Sequence, residues 1–220
     1  MNVNDVKDMT APEGDRLEAI FARQKELMEK YHEIEIRNGV GYGLLTGPFD
    51  INDMRSQELV KNFAWRVVEE LTEATECLAK NSLVEEDDIE HFREEVADAF
   101  HFLVEMAILL DITPQFLMEG HTLPPVEGND KLDEIYRFPF TRSGPYMIIQ
   151  QLGLAMNCLK QKPWKQTHFL TDKTRLRKFI RWTFYAFGNF CREEDLSPEM
   201  LFDYYFRKSE VNKFRQRSQY

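Results

Sequence analysis

Apolar residues recur at helical spacing over most of the chain. Between Asp15 and Arg37, Leu17, Ile20, Phe21, Leu27, Tyr31 and Ile34 mark one face of a helix, and the glycine-rich stretch from Asn38 to Gly47 stops it. A second helix is predicted from near Ser56 to Lys80, with Val67, Leu71, Ala74 and Leu78 as its apolar stripe. A third, from about Asp87 to Leu110, is apolar almost all the way round in its second half, which places it at the centre of a bundle. The run Asp111-Ile112-Thr113-Pro114 then ends one helix and starts another, with Thr113 as N-cap and Pro114 in the first turn. Asp195-Leu196-Ser197-Pro198 has the same form. Gly120 to Pro145, rich in proline and glycine, is predicted to be a loop, and no segment reads as a strand. The expected fold is all-α, a helical bundle.

The similarity between the two breaks extends upstream. Glu69 to Leu78 aligns with Gln150 to Leu159, so that Leu71, Ala74, Cys77 and Leu78 meet Leu152, Ala155, Cys158 and Leu159. The offset is 81 residues there and 84 at the breaks, a small gap. We read a degenerate internal duplication of a helical hairpin; chance likeness between two amphipathic helices is the competing reading. The copies differ in chemistry. Glu70 and Glu73 correspond to Gln151 and Leu154, and Glu95 and Asp98 to Phe179 and Trp182, so the second hairpin has no carboxylates at these positions.

Composition narrows the function classes. A chain of 220 residues with 43% hydrophobic residues builds one globular domain, here expected to span 1–220 with a flexible start at 1–12. The net charge of -10 disfavours nucleic acid as a partner but tolerates a small anion neutralised by metal. Cys77, Cys158 and Cys191 are odd in number and widely spaced, which argues against a disulfide scaffold or zinc knuckle and for apolar packing in a reducing cytoplasm. The longest apolar segment, Val96 to Leu110, is broken by Asp98, His101 and Glu105, and Met1 to Glu13 has no apolar core; neither a membrane span nor a signal peptide is expected.

The candidate chemistry lies in two acidic patterns, Glu69-Glu70-x-x-Glu73 on the second helix and Glu94-Glu95-x-x-Asp98 on the third. Residues three apart share a helix face, so two packed helices bring Glu70, Glu73, Glu95 and Asp98 to one point. Hard oxygen donors of this kind suit Mg2+, which neutralises phosphate charge and activates water. Acidic pairs are frequent in a chain with 38 acids, but Asp98 stands within an apolar run where an unpaired carboxylate is costly. A solvated acidic strip through Glu94, Asp98, His101 and Glu105 is the plainer alternative. A di-iron site through Asp98-x-x-His101 and Asp88-x-x-His91 would need its histidines on different helices, and both fall on one. His101 is expected to pack or to support the site.

Together these residues resemble a known family. Glu69-Glu70-x-x-Glu73, then Glu95-x-x-Asp98 and Phe100-His101-Phe102, are similar to the all-α nucleoside triphosphate pyrophosphohydrolases, in particular the dimeric dUTPases and phage dCTP/dUTP pyrophosphatases. The C-terminus resembles the pattern Lys-Asn-x-x-Asn-x-x-Arg-Gln-x-x-Gly-Tyr at Lys208, Asn212, Arg215, Gln216 and Tyr220, with Ser209 and Gln219 departing from it. The resemblance implies Mg2+ on Glu70, Glu73, Glu95 and Asp98, and hydrolysis of dUTP or dCTP to the monophosphate and pyrophosphate by a homodimer. It further implies base contacts from Gln24 and Trp65, and a segment at 205–220 that closes on substrate, with Lys208, Asn212, Arg215 and Tyr220 gripping phosphates and sugar. A broader house-cleaning pyrophosphohydrolase and a non-catalytic helical interaction protein are the alternatives.

Overall fold

The computed structural model describes residues 3–6, 12–39, 48–79, 85–119, 123–124, 126–140, 144–162, 164 and 166–218. Among these there are eight α-helices and no strand: α1 (Arg16–Asn38), α2 (Met54–Leu78), α3 (Glu86–Leu109), α4 (Pro114–Met118), α5 (Lys131–Arg137), α6 (Pro145–Met156), α7 (Lys173–Glu193) and α8 (Pro198–Ser218). The all-α bundle expected from the sequence is the fold observed. None of these helices is long and apolar enough to cross a membrane.

Short polar side chains set the helix starts. Asp15, Asp53, Thr113, Asp130 and Asp172 each accept a backbone N–H from the first turn of α1, α2, α4, α5 and α7, a contact worth about 1 kcal/mol per helix. Gly39 ends α1 at φ 68, a left-handed conformation in which its N–H reaches the Glu35 and Ile36 carbonyls. The second helix begins slightly before the expected Ser56 because Asp53 caps it; Lys80 and residues 40–47 lie outside the described residues.

One expectation fails. The stretch Gly120 to Pro145 is not all loop: Asp130 and Asp133 form a capping box that starts α5, and Leu132 and Ile135 are buried in the core. Near the start of the chain, Val3–Asp5 forms a 3-10 turn and Val3, 2% exposed, packs with Ala97, Tyr204 and Val211.

The duplication is visible as repeated hydrogen bonds. Ile112 N–H donates to Ala107 O and Leu196 N–H to Cys191 O, both at 2.9 Å, and Leu117 and Leu201 return to Thr113 and Ser197 in the same way. The caps match too, with Thr113 Oγ1 accepting from Phe116 N–H and Ser197 Oγ from Met200 N–H, both at 3.2 Å. Asp111 and Asp195 share φ of 54 and 53. Cys77 and Cys158 each turn their thiol to the carbonyl four residues back, Glu73 and Leu154. Chance likeness of apolar patterns does not reproduce polar geometry at both offsets.

The copies are the hairpins α2–α3 and α6–α7, and one hydrophobic core runs through both. They meet at Phe100 and Phe184, equivalent residues whose rings pack edge to face with centroids 5.8 Å apart, with Phe187 and Tyr205 also against Phe100. Outside the core, Arg16 fastens three helices: its guanidinium pairs with Asp130 and Asp133 at 2.6 Å and with Glu199 at 2.7 Å, joining α1 to α5 and α8.

Gly188 in α7 is where α5 comes closest. A Cβ there would stand 2.8 Å from Ile135 Cγ2 and 2.9 Å from Ile135 O, whereas a Cβ at Gly153 in α6 meets nothing within 4 Å. The same substitution should therefore act in opposite directions. Gly188→Ala is expected to destabilise by about 1–3 kcal/mol through overpacking, and Gly153→Ala to stabilise by about 0.5–1 kcal/mol through helix propensity. Urea unfolding of the two variants checks this; shifts of the same sign would refute the packing argument.

Candidate functional site

A cleft of about 580 Å³ opens between α1, α2, α3 and the end of α8, lined among others by Gln24, Tyr31, Phe63, Glu70, Asp98 and Glu105. The hairpin α2–α3 supplies its acidic end. Carboxylate oxygens of Glu70, Glu95 and Asp98 lie within 4.8 Å of one another. Helical register explains the meeting: Glu95 and Asp98 are three apart on α3, and α2 presents Glu70 from the facing helix. Glu73, one turn further along α2, is outside this group of three but near enough to act on Glu70 electrostatically.

Crowding of these acids in a half-dry place makes ionisation expensive. Burial, then the hydrogen bond shared with Glu95 and the charges of Asp98, Glu95 and Glu73, pushes the Glu70 carboxyl up to about 8. Burial also raises Asp98, to about 6, against the opposing pull of Lys208. Lys208 Nζ lies 2.7 Å from Asp98 Oδ2 and 3.8 Å from Glu94 Oε2. Burial alone would lower the Lys208 ammonium, but Asp98, Glu94 and Glu95 outweigh it and leave it raised. Glu95 is oriented by His91, whose Nε2 is 2.9 Å from Glu95 Oε1 and whose Nδ1 contacts Cys77 Sγ at 3.3 Å.

At the opposite end the cleft has a buried polar floor. The Gln24 amide lies 2.8 Å from His101 Nδ1, 2.6 Å from the Tyr205 hydroxyl and 3.2 Å from Glu105 Oε2, and His101 Nε2 lies 3.1 Å from the Tyr205 carbonyl oxygen. The His101 ring stacks on Tyr205. Burial holds His101 neutral, down to about 3, and, helped by the charge of Glu35, raises Glu105 to about 8. His101 packs and hydrogen-bonds within this floor, with neither nitrogen turned to Glu70, Glu95 or Asp98, while His91 lies against Glu95 and Cys77.

A model of the dUTPase family matches residues 50–220. The chain belongs to the dUTPase family. No curated protein and no solved structure matches. Membership accords with the all-α fold and with the acids of α2 and α3, which fall inside the matched span; Gln24 lies outside it.

Of the residues singled out from sequence, Glu70, Asp98, Gln24, Asn212 and Arg215 line the cleft, and Glu95 joins the acidic group. Three others are placed differently. Trp65 is 60% exposed, its indole N–H donating to Glu69 at 2.8 Å, so its ring belongs to the outer face of α2 rather than to the cleft. Lys208 is committed to Asp98. The supposed closing segment 205–220 begins in the core, for Tyr205, Phe206, Lys208, Ser209 and Val211 are buried and α8 runs unbroken to Ser218; Tyr220 lies outside the described residues. Sequence reasoning did not assign Tyr31, Asn62, Arg66 or Glu105 to the site. Only Glu105 left a signal, as a carboxylate inside an apolar run.

The second copy shows what replaced the site. Trp182 and Tyr185 occupy the positions of Asp98 and His101, and Phe138 and Phe140 pack over them: Phe138 stacks on Tyr185 at 4.7 Å and meets Trp182 at 5.2 Å, and Phe140 meets Trp182 at 5.7 Å. An aromatic plug stands where the first copy has acids.

The acids predict a pH response of definite sign. Glu70 and Glu105 hold their protons to about 8 in the folded chain against an ordinary 4.5, so the folded state binds more protons than the unfolded one between these values. Metal-free protein should therefore lose stability as pH rises from about 5 to 8. Added Mg2+ should reduce that loss and release protons on binding. Thermal melts with and without Mg2+, and calorimetry in buffers of different ionisation enthalpy, test this; melting points that rise with pH without metal would contradict it.

Proposed function

We propose that the protein is a magnesium-dependent pyrophosphohydrolase acting on dUTP or dCTP and releasing the monophosphate and pyrophosphate. The observation that carries this reading is the convergence of Glu70, Glu95 and Asp98 at one end of a nucleotide-sized cleft. The donor set fits the ion: three carboxylates from two helices, costly to ionise together and relieved by a divalent cation. Glu73 is the fourth ligand we assign, one turn from Glu70 on the same face of α2. A bound magnesium supplies charge neutralisation for the phosphates and a more acidic water.

The protein's own groups divide the remaining work. His91 holds Glu95 by its Nε2, fixing the direction of that carboxylate. Lys208 stabilises the ionised form of Asp98 and spreads positive charge toward the phosphate end. Arg215 and Asn212, on the last turns of α8, face the cleft and are placed to hold phosphate and sugar oxygens. Closure is then confined to the end of α8, beyond the buried Val211. We extend the reading to a cytoplasmic homodimer; exposed Tyr146, Trp164 and Leu170 are apolar surface available to a second copy.

Glu70→Gln, Glu95→Gln and Asp98→Asn should each lower kcat on the best substrate by roughly two or more orders of magnitude, with the helical circular dichroism unchanged. Gln151→Ala, at the position equivalent to Glu70, should leave kcat within about threefold, since the second copy has no acids to coordinate. Pyrophosphate release with Mg2+ over a panel of deoxynucleotides measures both. Wild-type activity in any two of the acid variants would defeat the proposed centre.

Arg215→Ala should cost about ten- to a hundredfold in kcat/KM, the loss of one charge-assisted phosphate contact. Steady-state kinetics at saturating Mg2+ decides it, and an unchanged kcat/KM would show that Arg215 leaves the phosphates to other groups.

A further inference from the structure

Hydrogen-bond capacity assigns roles on the floor of the cleft. The carbonyl oxygen of Tyr205 can only accept, so His101 carries its proton on Nε2, and as a neutral ring it can only accept at Nδ1. The structure turns Gln24 Oε1 toward Nδ1, which sets two acceptors 2.8 Å apart. Amide oxygen and nitrogen exchange places by a half-turn, and the network decides between them. With the amide turned over, its NH2 group donates to His101 Nδ1 and to the Tyr205 oxygen, giving up the bond that the Tyr205 O–H otherwise donates to Gln24 Oε1, and its carbonyl oxygen faces Glu105 Oε2. Glu105 then supplies the proton for that last bond, in keeping with its raised affinity for protons. Charged and titratable neighbours agree: Glu35 and Tyr31 on α1 and Tyr205 on α8 bring no positive charge, and the nearby cations act on other groups, Arg23 on Tyr205 and Arg215 on Tyr31.

This arrangement uses both donor hydrogens of Gln24 within the protein. Gln24 is thereby a support. Glu105, by contrast, has Gln24 as its only hydrogen-bond partner among the described residues, through Oε2, which leaves Oε1 for a ligand. It lines the cleft with Phe63, Phe102 and Tyr31, side chains suited to the faces of a flat ring. On α3 it follows Asp98 by two turns, about 10 Å along the axis, the span of a sugar and base extending from phosphates held at the acids.

We propose that Glu105 reads the base: its free carboxyl oxygen accepts a hydrogen bond from an N–H on the Watson–Crick edge of a pyrimidine, the N3–H of uracil or the 4-amino group of cytosine. This rests on the nucleotide reading of the cleft given above. An acceptor at this position selects against a base that presents no N–H there, because the buried oxygen would stay unpaired. Glutamine copies the neutral acid, keeping a carbonyl for the base and an NH2 for the Gln24 oxygen. Leucine keeps only the volume.

The test is kcat/KM with Mg2+ for wild type, Glu105→Gln and Glu105→Leu on dUTP, dCTP and dUTP methylated at N3. Glu105→Gln should stay within about fivefold of wild type, and Glu105→Leu should lose about ten- to a hundredfold on the base that is read. The N3-methylated substrate should be poor for wild type and no poorer for Glu105→Leu. The larger loss, on dUTP or on dCTP, identifies the base. Turnover of dUTP and dCTP unchanged in Glu105→Leu, or an equal loss on the methylated substrate, would overturn this inference alone. No turnover of any nucleotide by the wild type would overturn the nucleotide reading and the inference with it.

Discussion

Helix α3 is packed by α1, α2 and α8 along its length, and Val96, Ala97, Ala99, Phe100, Leu103, Val104, Met106 and Ala107 are sealed from water. A helix so enclosed carries ionisable groups at a cost, and this one carries Glu95, Asp98, His101 and Glu105. Glu95 is met by His91 one turn back on α3, and the other three are compensated from the neighbouring helices. Lys208 comes from α8 to Asp98, Gln24 from α1 to Glu105, and the Tyr205 carbonyl to His101. The positions of α1 and α8 are thus tied to the demands of polar groups on α3 as much as to apolar packing, and the cleft is the space left between them.

The two copies solve this constraint in opposite ways. The first keeps its acids and surrounds them with partners from other helices. The second places Trp182 and Tyr185 at the corresponding positions and covers them with Phe138 and Phe140. Both keep the hinge geometry of Asp111 and Asp195 and the caps of Thr113 and Ser197, since those features belong to the hairpin rather than to the chemistry.

What was legible in the sequence follows from the range of the forces involved. Thr113-Pro114 and Ser197-Pro198 mark helix starts because a cap is a contact between residues three apart, and Glu70, Glu95 and Asp98 could be grouped because register along one helix is fixed. The family match over 50–220 covers these same segments. Long-range pairings were not legible. Nothing local shows that Gln24 will meet Glu105 81 residues on, or that Lys208 will spend its charge on Asp98. Trp65 is expected at the base only through the family resemblance, and at its register on α2 it faces solvent. Helix α5 was hidden for another reason: seven residues are too few for a periodic stripe, and the capping box of Asp130 and Asp133 sits among prolines and glycines.

The aromatic plug gives the molecule a division of labour. A cluster of buried acids is a standing debit in stability, and a single-copy protein would have to offset it with the helices that bear it. Here α7, joined to α3 at Phe100 and Phe184, is an apolar abutment with Phe179 and Trp182 at the positions equivalent to Glu95 and Asp98. Residues on the cleft side can then differ without disturbing that abutment, because the packing behind them is supplied from α7.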